Sequence, residues 1–549
     1  MILGLAGGMQ DGFPLTLTHV LRRMRTVHAR SSVVTQVAAD GTRIRASFAD
    51  VAERADRLAA GLDALGVRPG DRVGSFAWNT QQYLEAYYAV PCMGAVLHTM
   101  NLRLSPAEVA FTVNNSKARV LLVDASLAEP MSKIRPLLRT VEHVIIIGER
   151  TQASPRGALD YETLLANQTG GYAWPELDER SAAALCYTSG TTGDPKGVLY
   201  SHRSLVLHAL VESGHDTFRI QGSDVALVVV PMFHAMGWNL PYVCGLIGAD
   251  VVMPSSYLQS SHLARLIEEE QVTYSSGVPT IWMDLLRYAA EHGSDLSSLR
   301  LAVCGGTQVP LSLMQQYEER HGIALTQGWG MTETLPGAAM AHDPDDSPND
   351  KHRWTHRAFA GRLSPLYEIR VSDDDGNVQP WDGKSTGEIE IRGPIVAGEY
   401  FENPEGTAEK IDGGWLRTGD VGSMTHDGWL RITDRTKDVI KSGGEWISSV
   451  DLESALMAHP AVAEAAVIAR PDERWSERPL ACVVVECEVT PDELRAFLAD
   501  RVARWWLPDD FAYMTEIPRT SVGKFDKRVL RGQLKAGALD VRAIGGHSS

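Results

Sequence analysis

Apolar and polar positions along this chain follow two periods in turn. From residue 47 the spacing predicts a helix capped by Ser47, with Val51, Ala55, Leu58, Leu62 and Leu65 recurring at alternating steps of four and three until GVRPGD ends it. Short β-rich runs then alternate with helical stretches: ARVLLVD, HVIIIGE, ALCYTS, DVALVVV, ADVVMP, VTYSSG and LRLAVCGG. Runs this apolar belong to strands covered on both faces, the sheet of a layered α/β architecture. Beyond about residue 365 the pattern changes to closely spaced strands with Gly turns (EIRVSDDDGNV, GEIEIRG, DGWLRITDR), which predicts a small β-rich subdomain. After DRTKD come a helix (SSVDLESALMAH), two strands (EAAVIAR, PLACVVVE), a second helix (PDELRAFLADRVARWW) and a basic terminal helix. That set is α+β, and the expected boundary lies between Asp434 and Lys437, dividing the chain into 1–434 and 435–549.

Length and charge narrow the picture. At 549 residues the chain exceeds what one core spans, in keeping with two domains. Its formal charge of −17 disfavours broad binding to nucleic acid or an anionic membrane, so any anionic ligand must be held locally. No segment approaches the roughly 20 apolar residues of a membrane span. The start, MILGLAGGMQDG, has no basic leader and meets Asp11 at once, against a secretory signal. Six scattered cysteines show no CxxC pair and no zinc spacing, and read as reduced, mostly buried thiols. A cytoplasmic protein is expected.

The strongest chemical signal is YTSGTTGDPKGV, Tyr187 to Val198, between an apolar strand and a helix beginning near Ser201. Glycine lets the backbone approach a ligand, successive amides point at phosphate oxygens, and Thr188, Ser189, Thr191 and Thr192 add hydroxyl donors around Gly190 and Gly193. Lys196 adds a point charge. A P-loop reading fails, because Pro195 stands where GxxxxGK demands glycine. Thr332 and Glu333 offer a hydroxyl and a hard carboxylate suited to Mg2+ on nucleotide phosphates. Asp420 can accept two ribose hydroxyls, and Arg435 is a fixed cation with several donors. Taken singly, each of these is as readily a surface charge, and His234 as readily a core histidine.

In order along the chain, YTSGTTGDPKGV, PMFHAMGW (231–238), GGTQVP (305–310), QGWGMTET (327–334), GGWLRTGD (413–420), DRTKDVIKSGGEWISSVDLE (434–453) and PRTSVGKFDKRVLR (518–531) resemble the motifs of the adenylate-forming enzymes. That superfamily includes acyl-CoA synthetases, peptide-synthetase adenylation domains and firefly-type luciferases. Within it, PMFHAMGW and IKSGGEWISSVDLE look most like bacterial medium- and long-chain fatty acyl-CoA synthetases. The resemblance implies an α/β protein with a large N-terminal adenylate-forming domain and a small mobile C-terminal α+β lid. It implies that Glu333 ligates Mg2+ with Thr188 nearby, and that Gly305, Gly306, Thr307, Gln327, Gly328, Trp329 and Gly330 form the adenine pocket beside Thr332. It makes Asp420 and Arg435 nucleotide ligands, Lys524 the adenylation lysine, and His234 a neighbour of the reacting carboxylate. Trp238 matches a gate of the acyl tunnel, Lys441 a lysine near the phosphates or pantetheine, and Trp446 a nucleotide or gate residue. Lys437 matches the hinge about which the lid turns to bring Gly443 and Gly444 to pantetheine. One departure stands out: the family's adenine-stacking residue is usually tyrosine, and here it is Trp329.

The activity implied is two-step ligation. A hydrophobic carboxylate and MgATP give acyl-AMP and pyrophosphate, and the CoA thiol then gives acyl-CoA and AMP. Alternatives are activation of an aryl, thioether or polycyclic acid, loading of a carrier protein, a single half-reaction, a luciferase-like oxygenase, or a nucleotide-binding regulator with a dead site. No carrier domain is present in the sequence and none of the seven motifs is broken. Long-chain relatives pair through an N-terminal segment, so the basic run LRRMRTVHAR is a candidate homodimer contact or a solvated helix face.

Overall fold

The computed structural model describes residues 10, 12–188, 194–442, 445–519 and 525–544, with Glu445 and Trp446 described in backbone only. The helix expected after Ser47 spans Phe48–Ala64. Its first turn is closed by a capping box, in which the Ser47 hydroxyl accepts from the Asp50 amide and Asp50 accepts from the Ser47 amide. Its predicted face is buried through Val51, Ala55, Leu58 and Leu62.

Three sheets carry the chain. The first is seven-stranded, in the order Leu159–Asp160, His143–Ile147, Ala118–Asp124, Arg72–Phe76, Val96–Thr99, Ala182–Tyr187, Gly197–Ser201, and it is parallel except for the last pair. The second has a parallel centre of Asp250–Met253, Val225–Leu227, Tyr274–Gly277, Leu301–Gly305 and Ala324–Trp329, with Ser32–Gln36 parallel beyond Asp250–Met253. The β-rich segment does not form a sheet of its own. Through Ala339–Met340 and Gly361–Leu363 it continues this second sheet antiparallel, into Trp429–Arg435, Trp415–Met424, Gly387–Arg392 and Glu368–Ser372. What the sequence marks as a change of layer is thus a change of strand direction at Trp329.

Hydrogen-bonded sheet membership switches once more between Arg435 and Ile440. The third sheet pairs Glu445–Ile447 with Ile440–Ser442, then Ser476–Val485, Asp510–Tyr513 and Val541–Ala543, with Val462–Asp472 also on Ser476–Val485. Helix Ser449–Met457 lies against Trp429–Arg435: Ser449 donates through its amide (2.7 Å) and hydroxyl (2.5 Å) to Asp434, and Ser448 donates to the Thr433 carbonyl at 2.5 Å. Lys527, on the terminal helix Lys527–Lys535, binds Glu453 at 2.7 Å and the Ser449 hydroxyl at 2.6 Å. The second helix of this region is shorter than its sequence pattern: it stops at Ala499, and the chain turns so that Trp506 and Leu507 fold back onto the core of this third sheet.

The N-terminal helix Leu17–Thr26 docks on its own chain through Leu17, Val20, Leu21 and Met24. Two of its arginines are engaged internally, Arg23 with the Leu246 carbonyl and Arg25 with Asp56. Five cysteines are buried, Cys487 is exposed, and all six are free thiols. Among the described residues, no helix is long and apolar enough to cross a membrane.

Candidate active site

The carboxyl ends of parallel strands carry Thr188, Gly305 and Trp329, the edge at which open α/β sheets hold ligands. Strand Ala182–Tyr187 delivers Thr188, whose amide donates to the Lys196 carbonyl at 2.9 Å; the Lys196 amide returns a weak bond to the Thr188 hydroxyl at 3.4 Å. These two bonds pin the base of the Gly-rich loop. Ser189, Gly190, Thr191, Thr192 and Gly193, its tip, lie outside the described residues, as do Gly443, Gly444 and Lys524. The Lys196 ammonium sits 5.1 Å over the Tyr400 ring and 3.1 Å from Glu409.

Glu333 is buried on the short turn Thr332–Thr334 after strand Ala324–Trp329. Tyr400 donates to one of its carboxylate oxygens at 2.6 Å. Burial first, and Glu333 second, push the Tyr400 phenol above its usual pKa, so it stays a donor. The turn is clamped from both sides, Tyr200 donating to the Thr332 carbonyl (2.6 Å) and Tyr367 to that of Thr334 (2.7 Å). Among the described residues no group of three or more metal-ligating side chains exists. A single fixed hard carboxylate next in sequence to the Thr332 hydroxyl fits Mg2+, which dehydrates reluctantly and is held chiefly through substrate phosphates.

Trp329, Asp420 and Arg435 meet. The indole N–H of Trp329 donates to Asp420 Oδ2 at 2.8 Å, and Arg435 Nε lies 2.6 Å from Oδ1. Asp420 and Arg435 face each other in antiparallel register, which fixes the second contact. Asp420 is buried, yet each carboxylate oxygen retains a lone-pair direction for a ribose hydroxyl. Tryptophan in place of tyrosine therefore supplies a hydrogen bond to the carboxylate. Gln327 differs from expectation in detail: its amide accepts from Val309 N–H (2.5 Å) and donates to the Phe359 carbonyl (2.7 Å), so it shapes the pocket wall. Gly306 and Thr307 are exposed at the mouth. Gly305 has no room for a side chain, since a Cβ there meets the Gly328 carbonyl at 2.8 Å.

His234 and Trp238 bracket an unusual turn. Ala235, Met236, Gly237, Trp238 and Asn239 all have positive φ, between 35° and 61°, five left-handed residues in succession of which only Gly237 is glycine. Each non-glycine costs on the order of 1 kcal/mol or more, so packing must impose the shape. Trp238 is buried, its ring edge 3.2 Å from where a Gly305 Cβ would stand, between the nucleotide side and the core. Lys437 is exposed in the crossover between sheets, where Arg531 binds the adjoining Asp438 at 2.7 Å. Lys441 pairs in strand register with Trp446, whose side chain is outside the described set.

The structure thus brings together Thr188 and Lys196 at one strand end, Glu333 with Tyr400, and Trp329 with Asp420 and Arg435. Sequence reading missed Tyr200, Tyr367 and Tyr400, all clamps on the Thr332–Thr334 turn. Their nearest signal is a lone Tyr400 in AGEYF, and nothing in the sequence joins it to Glu333, 67 positions away.

The profile of the AMP-binding enzyme family matches residues 25–401, and that of the AMP-binding enzyme C-terminal domain matches 451–524. A long-chain-fatty-acid–CoA ligase of Thermus thermophilus is 45% identical over 543 residues, covering 97% of this chain and 99% of its own. A 3-methylmercaptopropionyl-CoA ligase of Ruegeria pomeroyi is 39% identical over 95% of this chain and 98% of its own. Among solved structures, an anthranilate CoA ligase in complex with anthranoyl-AMP superposes with a TM-score of 0.86 at 27% identity, covering 96% of this chain and 99% of the other.

Proposed function

Because the chain belongs to the AMP-binding enzyme family, we propose that it is an ATP-dependent, AMP-forming acyl-CoA ligase acting on a medium- or long-chain or similarly hydrophobic carboxylic acid. The observation that carries the reading is the joining of Trp329, four residues before Glu333, with the distant Asp420 and Arg435 into one bonded set.

In this reading Trp329 stacks on adenine while its N–H holds Asp420 toward the ribose. Thr188, Lys196 and the loop amides receive the phosphates. Glu333, oriented by Tyr400, would hold Mg2+, which would supply neutralisation of phosphate charge. His234 lies beside the attacking carboxylate, and Lys524 offsets the charge of carboxylate meeting α-phosphate. In the second step CoA attacks the mixed anhydride, with Gly443, Gly444 and Lys441 on its path. The two steps need different partners at one carbonyl, which a lid of 435–549 turning about Lys437 supplies; the switch of sheet between Arg435 and Ile440 supports that boundary. Six unpaired thiols suit a reducing, cytoplasmic setting. Pairing of two copies through residues 21–30 remains a proposal that light scattering tests, with Arg23 and Arg25 already spent within the chain.

ATP–pyrophosphate exchange over a panel of carboxylates, with and without CoA, tests the function. Acid-dependent exchange with acyl-CoA formation is expected. Lys524→Ala should abolish exchange yet spare thioester formation from supplied acyl-AMP; equal loss of both removes the assigned role of Lys524.

A further inference from the structure

Behind Trp238 the core turns polar. Helix His202–Glu212 presents His208 and Glu212, one turn apart and fully buried. Strand Tyr274–Gly277 presents Tyr274 and Ser276 on one face, in register with Leu301 and Val303. Tyr274, Leu301 and Val303 share a single hydrophobic cluster with Trp238, Leu205 and Ala209, so helix and strand face the same interior. Asn239, at the end of the left-handed turn, ties itself to that helix by donating to the Leu205 carbonyl.

Six buried side-chain atoms here have no hydrogen-bond partner among the described residues: His208 Nδ1, both carboxyl oxygens of Glu212, Asn239 Oδ1, Tyr274 Oη and Ser276 Oγ. His208 Nδ1 comes no nearer than 3.6 Å to Glu212. Each unpaired buried group costs about 1–3 kcal/mol, and six of the nineteen such atoms among the described residues belong to these five side chains. An unbranched alkyl chain laid along this face would leave all six unsatisfied.

The protonation of the set defines what would satisfy it. His208 Nε2 faces the Pro336 carbonyl at 2.8 Å, so it carries the proton and Nδ1 is an acceptor; burial holds the ring neutral down to about 4. Burial raises the Glu212 carboxyl well above its ordinary value, making it a neutral donor and acceptor. The Tyr274 phenol, raised by burial and then by Glu212, remains a donor. Neutral donors and acceptors are mixed, and the cation that acts on Tyr274, Arg300, is already bound to Asp224, so a second carboxylate or an ammonium would meet an uncompensated desolvation cost. A hydroxyl both donates and accepts. From the level of Gly305, beside Trp238, to that of Leu301 and Tyr274 is four residues of strand, about 13 Å and the reach of a medium-length chain.

Resting on the ligase reading above, we propose that the acid this enzyme activates is a medium-length chain bearing a hydroxyl at its far end, received by Tyr274, Glu212 and His208. The test measures kcat/KM of the full chain for acyl-CoA formation and for pyrophosphate exchange, over unbranched acids of graded length and their terminally hydroxylated counterparts. At the best-fitting length the hydroxylated acid should win by about tenfold or more, because a site built to bond a hydroxyl penalises its absence. Tyr274→Phe, or Glu212→Leu should the first fail to fold, should cut that ratio at least tenfold. A wild-type preference for the plain acid at every length, or a ratio that neither variant moves, overturns the inference while leaving the ligase standing. Absence of exchange and acyl-CoA with both series overturns the ligase reading and the inference with it.

Discussion

The two halves of the site are built to different rules. On the nucleotide side the buried carboxylates are bonded: Asp420 between an indole and a guanidinium, Glu333 by a phenol on a turn clamped by two further tyrosines. On the side we assign to the acyl chain the backbone is held in a left-handed run, and six side-chain atoms beyond it lack hydrogen-bond partners among the described residues. A ligand that never changes can be met by a preassembled set, whose groups need no reorganisation as charge develops. A ligand that differs among relatives is met by a scaffold whose lining alone carries the choice. Chains 45% and 39% identical to this one carry the names of a long-chain fatty-acid ligase and a methylmercaptopropionyl ligase.

If the nucleotide side is preassembled, its loss should be steep. Glu333→Gln is expected to cost about 10²–10³ in pyrophosphate exchange with any acid, and unequal losses across an acid panel would place Glu333 in acid recognition instead. Trp238→Ala should act on the other half only. We expect the preferred chain length to shift, by about tenfold in relative kcat/KM, with the KM for ATP unmoved; an unchanged length profile takes Trp238 out of the acyl path. Trp329→Phe keeps the stacking ring and removes the N–H to Asp420. A hydrogen bond to a charged group is worth about 1.5–3 kcal/mol, so the KM for ATP should rise by about tenfold or more at little change in acid preference. An unaltered KM would show that Arg435 suffices to hold Asp420.

The mildest probe is pH. Burial keeps His202, His208 and His342 neutral down to about 4, and burial with Arg72 takes His98 to about 3. The unfolded chain takes up these protons near 6.5, so the histidines' share of folded stability is full above that value and is lost as pH falls from 6.5 toward 4, at ~1.4 kcal/mol per pH unit for each, while Glu212 and Glu453, raised by burial, act in the opposite sense as pH rises. His208→Asn should flatten the fall of melting temperature by roughly its one-in-four share. An unchanged slope would mean the acyl-side imidazole titrates as an ordinary one.

How much of this was legible beforehand follows from range. The helix after Ser47 and the strands from ARVLLVD to LRLAVCGG are written locally, in caps and apolar period, and they form close to where the pattern puts them. DVALVVV forms a ladder only over Val225–Leu227, its remainder turning into the segment that leads to His234. The residues proposed to hold the nucleotide were legible as ordered motifs. Their mutual bonding was not: a tryptophan and an aspartate 91 positions apart carry no local sign that they touch. Gln327 looked like a ligand because motif membership does not tell a lining residue from a brace. The orphaned polar set was invisible, since His208, Glu212 and Tyr274 are singly unremarkable until helix and strand are packed together.

The turn from Ala235 to Asn239 bears on how such an enzyme can diversify. A side chain at Gly237 would come within 3.2 Å of the Met232 backbone, and its neighbours already hold a conformation that L-residues resist. Insertions or larger residues there would spring the whole hoop and carry His234 away with it. Heritable drift toward new acids is therefore channelled to the side chains of one helix and one strand, positions that can be exchanged singly while the reaction centre stays where it is.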